Sequence, residues 1–129
     1  MITMRRTMVA FTAIALLSVL IPQVGASHRP TRFCSESGDV CLSTRKVEGI
    51  RKLSIALAAE YFEKFRLCVN APVGTRTCKV FEIRDTGPAF GRTVRWRRHF
   101  PNKGPGAYNV NWRQLNGQLI GRRMAFHRG

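Results

Sequence analysis

Four cysteines, three histidines, seven carboxylates and a dense set of arginines are the residues of this chain whose types could carry chemistry. Cys68 and Cys78 bracket the run CVNAPVGTRTC. A redox or catalytic pair wants a Cys-x-x-Cys-like spacing or a depressed thiol pKa, and a four-Cys zinc site wants short knuckle spacings. The chain has neither, so no metal and no cofactor is expected. The local geometry favours a brace instead. A type I turn on Pro72-Val73, with Gly74 left-handed, makes a three-residue hairpin loop closed by a G1 bulge. Ala71 then faces Thr75, Asn70 faces Arg76, Val69 faces Thr77, and Cys68 falls opposite Cys78, within reach of a disulfide. Alternation places this bridge on the outer face of a sheet. A Ser37-Gly38 turn would set Cys34 opposite Cys41 in the same way. Long-range pairing of the four is the alternative, since four cysteines allow three connectivities.

The histidines point to no such definite site. His28 lies close to an expected processing point, while His99 and His127 sit among arginines, which disfavours their protonation. A small secreted ribonuclease could pair one of them with Glu82 or Asp85 as a base. No spacing singles out such a pair, so a non-enzymatic role is expected. Glu36, Asp39, Glu48, Glu60, Glu63, Glu82 and Asp85 are too scattered for a calcium site, which needs clustered oxygen ligands.

Basic charge is the stronger signal. The densest cluster is Arg92, Arg95, Arg97, Arg98 and His99. If a strand carries Val94 and Trp96 inward, Arg95, Arg97 and His99 form an outward row. Arg113, Arg122, Arg123 and Arg128 add charge near the last hairpin. The candidate binding residues are Arg95, Arg97, Arg98, Arg113 and Arg123, and the expected partner is an anionic envelope polymer or an acidic protein surface. Non-specific nucleic-acid binding follows from charge alone. The plain counter-reading is a solvated outer face, and 17 Arg against 5 Lys reflects either bidentate recognition or a coding bias. Trp96, Tyr108 and Trp112 alternate with core residues, so they are expected to be buried rather than exposed for base stacking.

The elements that position these residues begin after an expected signal peptide. Arg5 and Arg6 supply a positive start, Met8 to Ile21 is an uncharged apolar run, and Val24-Gly25-Ala26 offers small residues for cleavage after Ala26. The run is short for a membrane span, which needs about 20 residues; an uncleaved anchor is the alternative. Without Arg5 and Arg6, the 22 basic residues fall to 20 against 7 acidic, a net charge near +13. Residues 27–129 read as one secreted domain, monomeric, with no integral membrane segment after cleavage and with wall association in prospect. Within it, residues 27–50 hold the Cys34-Cys41 hairpin and pack as a first strand, and residues 51–129 form the body.

Short alternating segments recur between turn signals. Val40 to Lys46 is a first strand, and Leu53, Ile55 and Leu57 mark a second. Ala58 to Glu63 is one helical turn or a loop. Lys64 to Asn70 and Arg76 to Arg84 form the braced hairpin, and Asp85 to Gly91 is a loop. Val94 with Trp96, then Tyr108, Val110 and Trp112, then Met124 with Phe126 complete about seven strands. Asn116-Gly117 looks like a two-residue hairpin turn, but that register would turn Met124 and Phe126 outward. The apolar pattern therefore demands a longer loop or a bulge near Gly121. The loops Ala71 to Arg76 and Pro101 to Gly106 leave a protease inhibitor as a second function class.

The segment Gly104-Pro-Gly-Ala-Tyr-Asn-Val-Asn-Trp112, with its G-x-Y-x-V-x-W run, resembles the penultimate strand of immunoglobulin-like and fibronectin-III-like domains. The resemblance spans about Arg51 to His127. It implies an all-β antiparallel sandwich of about seven strands in which Tyr108 anchors a corner. The chain departs from antibody-type domains in having Ile55 and Val110 where those bridge two sheets with Cys, so its disulfides would be intra-sheet. Together with the Cys68–Cys78 segment and Arg-x-x-Phe-Pro, the run also resembles small exported actinobacterial proteins of uncharacterised function. That likeness implies secretion and fold, and carries no activity.

Overall fold

Alternating apolar residues build two antiparallel sheets around one shared core in this computed structural model, which describes residues 29–129. The expected signal segment lies outside the described residues. The strands are β1 (Arg32–Cys34), β2 (Val40–Ser43), β3 (Lys46–Val47), β4 (Ile50–Leu57), β5 (Lys64–Asn70), β6 (Arg76–Glu82), β7 (Arg84–Asp85), β8 (Phe90–Arg95), β9 (Gly106–Gln114) and β10 (Met124–Arg128). A single helical turn, α1 (Trp96–His99), follows β8. The first sheet runs β1-β2-β4-β8-β7, with β3 also paired to β4, and the second runs β10-β9-β5-β6. Leu42, Leu53, Ile55, Leu57 and Val94 from the first sheet meet Phe65, Leu67, Val69, Tyr108, Val110, Trp112, Met124 and Phe126 from the second. Each such burial contributes ~1.5–3 kcal/mol against leaving the side chain in water.

Among the described residues, ten strands stand where the sequence suggests about seven. β3 and β7 are two-residue pairings, and the first strand is split, because the chain turns inward at Thr44. That residue is fully buried, and its Oγ1 donates to the Ala125 carbonyl at 2.9 Å. β1 and β2 both join the first sheet, so the Cys34–Cys41 hairpin is continuous with the body through the β2–β4 ladder.

The braced hairpin has the derived register throughout. Asn70 faces Arg76, Val69 faces Thr77 and Cys68 faces Cys78. Gly74 has φ 88° and donates to the Ala71 carbonyl, while the Ala71 amide donates to Thr75. Disulfides join Cys68 to Cys78 and Cys34 to Cys41, which removes the long-range alternative. Cys68 takes no part in the apolar core, yet it is only 1 % exposed because β5 lies between β9 and β6. The bridge is therefore on the outer face but covered on one side.

The Asn116-Gly117 turn is real, with a loop one residue longer than the dipeptide suggests. Gln114 and Gln118 close a three-residue loop, and Gly117 at φ 91° donates to the Gln114 carbonyl. This is the Pro72-Val73-Gly74 device again. It pairs Arg113 with Leu119, and the Ile120 amide donates to Trp112. Two extra residues then enter around Gly121, so that Met124 faces Val110 and Phe126 faces Tyr108. An insertion of two preserves the strand faces, and both apolar residues stay inside.

Candidate polyanion-binding surface

Arg95 ends β8 beside Lys52 of β4, and both belong to the outward face, since their neighbours Val94 and Leu53 are buried. The strand does not continue through Trp96, as the sequence reading expects. Trp96 opens α1, and the Phe100 amide donates back to the Trp96 carbonyl at 2.8 Å. Trp96 and Phe100 are 2 % and 3 % exposed, one helical turn apart. A continuing strand would have placed Arg98 on the same inner face as these two. The turn frees it, and leaves Arg95, Arg97 and Arg98 all exposed. The outward row of Arg95, Arg97 and His99 on one strand is therefore replaced by a fan of cations around a helical turn. Arg97 and Arg98, in its last turn, also suit the helix dipole, while Arg95 is the residue that precedes the turn.

The other two candidates lie elsewhere. Arg113 is on the outward face of β9, half-buried, with one Nη donating to the Gly117 carbonyl at 2.9 Å. Arg123 is exposed in the connection just before β10. The fold thus brings Arg95, Arg97 and Arg98 together with Lys52, and sets Arg113 and Arg123 apart from them. Lys52 escaped the sequence reading, although its place in the Lys52-Ser54-Ala56 outward alternation was the signal that could have found it.

His99 packs on Phe81 of the second sheet, with Arg98 of the fan still near it. Its ring meets Phe81 edge-on at 5.1 Å between centroids. Burial holds it below the usual histidine range, and Lys79, Arg98 and Arg92 push it the same way. Arg92 lies over the Phe81 ring at 5.6 Å and donates to the Glu82 carbonyl. The charged groups acting on His99 are thus all cations. His127 is exposed on β10, and its carbonyl accepts from Arg51. Tyr108, Trp112 and Trp96 are all buried, so no indole or phenol of these three is presented for stacking on a base.

Behind the fan, Tyr108 fixes the loop before β9. Its hydroxyl donates to the Gly104 carbonyl at 2.6 Å and accepts from the Lys103 amide at 3.0 Å. No protein family, curated protein or solved structure matches this chain.

Proposed function

We propose that the chain is an exported, non-enzymatic binding module with an immunoglobulin-like, fibronectin-III-like architecture, which engages an anionic envelope polymer through its fan of arginines. Strand order supports the architecture: β2-β4-β8-β7 runs as A-B-E-D, and β10-β9-β5-β6 as G-F-C-C′. The bond from Tyr108 to a carbonyl four residues upstream is the one a tyrosine corner makes. Two disulfides suit an oxidising compartment.

The observation that carries the binding reading is the grouping of Arg95, Arg97, Arg98 and Lys52 at one end of the sandwich, all pointing to solvent or partly so. Closely spaced cations raise the local potential for a polyanion, and binding of this kind weakens steeply with salt. Arg113 and Arg123 add long-range attraction from other faces. The test is retention on anionic wall polymer across a salt series, with an Arg95/Arg97/Arg98→Ser triple variant beside the parent. Retention at low salt that fades as salt rises, and that the triple variant loses, is the expected result. No retention at low salt, or equal retention of the variant, rejects the reading. Retention on an acidic protein in place of the wall polymer would assign the fan to that partner.

A second reading rests on Val73, which is 68 % exposed at the tip of the Cys68–Cys78 hairpin. A rigid, apolar tip of this sort suits a protease inhibitor. It predicts one-to-one inhibition that Val73→Asp abolishes.

A further inference from the structure

The gap between the two sheets closes differently at the end where β4 begins and β10 stops. Strand parity carries Leu53 and Ile55 into the core, and the same parity aims Arg51 inward. Met124 and Phe126 likewise bring Arg128 inward at the end of β10. Arg51 lies over the Phe126 ring at 4.6 Å, Arg128 lies over the Trp96 ring at 5.1 Å, and the two rings meet edge-on at 5.5 Å. The β3–β4 hairpin adds Lys46 through a tight turn in which Glu48 and Gly49 both take positive φ, 51° and 77°. Arg97 of α1 closes the ring of cations. Between them lies a hollow of about 40 Å³ whose lining, among the described residues, includes four cations and no carboxylate.

The hydrogen bonding of this hollow is incomplete. Arg51 donates to two backbone carbonyls, Thr44 at 2.7 Å and His127 at 3.4 Å. Among the described residues, one terminal nitrogen of Arg128 is enclosed without an acceptor, and so is Nε1 of Trp96. A buried N–H left unpaired costs about 1–3 kcal/mol, and more when it is charged. Burial also pushes the Arg51 guanidinium below its ordinary value. Water could satisfy the orphan N–H groups but would supply no negative charge to the four cations that line the hollow. An anion answers both deficits. The space accepts about three waters, hence one oxyanion head and not a sugar or a base. Four surrounding cations, three of them guanidiniums, favour a dianionic, multiply accepting head over a single carboxylate.

We propose that the hollow bounded by Lys46, Arg51, Trp96, Arg97, Phe126 and Arg128 is a seat for a phosphate monoester dianion, free or at the end of a larger molecule. This goes beyond the wall-polymer reading, since Arg51, Arg128 and Lys46 have no part in that reading and Arg97 alone is shared.

The experiment is calorimetric titration of the oxidised full chain with inorganic phosphate, methyl phosphate and dimethyl phosphate at constant ionic strength. Saturable one-to-one binding of the first two is expected, with dimethyl phosphate at least about tenfold weaker because a diester cannot present a terminal dianion. Arg128→Gln should weaken phosphate by about tenfold or more, the loss of a charge-assisted bond. Arg66→Gln, on β5, removes an equal charge elsewhere and should change affinity by less than about twofold. Non-saturating heats, equal binding of the diester, or unchanged affinity in a folded Arg128→Gln chain would each overturn the proposal. Should Arg128→Gln not fold, the exposed Arg97→Gln replaces it with the same expectation of loss. Methyl phosphate binding without inorganic phosphate binding would assign the seat to esters alone. Wall-polymer retention of the Arg128→Gln chain, measured alongside, separates the two readings: retention kept while phosphate binding is lost leaves the polymer surface standing.

Discussion

Tyr108 shows how much one hydroxyl can do when it is enclosed. It both donates and accepts, to Gly104 and from Lys103, and so satisfies two backbone groups of a loop that has no ladder partner there. Tyr108→Phe keeps the stacking on Phe126, whose ring lies 5.0 Å away, but leaves a carbonyl and an amide unpaired. The expected loss is about 1–3 kcal/mol of unfolding free energy in denaturant titration, with the strand signal unchanged. His99 gives a prediction with a sign. Its folded pKa is depressed by burial first and by Lys79, Arg98 and Arg92 next, so near its ordinary value the unfolded chain binds more protons than the folded one. Stability therefore falls as pH drops through the unfolded value of about 6.5, and the decline levels off below the folded pKa. His99→Gln should flatten that slope in thermal scans between neutral and mildly acidic pH. An unchanged slope would mean that His99 does not carry it.

At the scale of elements, the Cys68–Cys78 hairpin is held twice over, by its turn and by its bridge. Cys68→Ala/Cys78→Ala should cost about 2–3 kcal/mol, since the closed loop is short. Its register should survive, because the Pro72-Val73-Gly74 turn and the Phe65–Phe81 contact at 5.9 Å set it independently. Cross-strand amide contacts by NMR would check this. That redundancy also explains what was legible beforehand. Two unrelated signals agreed on one register for β5 and β6, and alternation alone placed Leu53, Ile55, Val110 and Trp112 in the core. The α1 turn was missed because Val94 and Trp96 alternate as a strand does. The sign of a helical turn was in the next residues, where a strand would have buried Arg98 beside Phe100. The β3–β4 turn was hidden for another reason: Glu48 occupies a positive φ that Asn or Gly normally takes. The proposed phosphate seat depends on that unseen turn and on two arginines at strand ends, which share the inward parity but whose charge reads as solvent-facing.

Across the whole molecule, net charge acts on folding and on binding in opposite senses. Residues 27–129 hold 20 basic and 7 acidic side chains, so the compact state repels itself. Raising sodium chloride from low to moderate concentration should therefore raise the melting temperature, by about 4–8 °C for each kcal/mol of repulsion screened. Retention on anionic polymer should fall over the same range. A melting temperature independent of salt would indicate that the charges are too far apart to matter for stability.

Both sulfur bridges span only short stretches, 7 and 10 positions apart in sequence, and neither links the two sheets. Pulled from its ends, the oxidised chain can thus pay out nearly its whole contour, with about 3.3–3.6 Å gained per freed residue outside two small closed rings. As a tether under force the domain would resist through its ladders and its packed aromatic layer, with no covalent stop to arrest the extension once those give way.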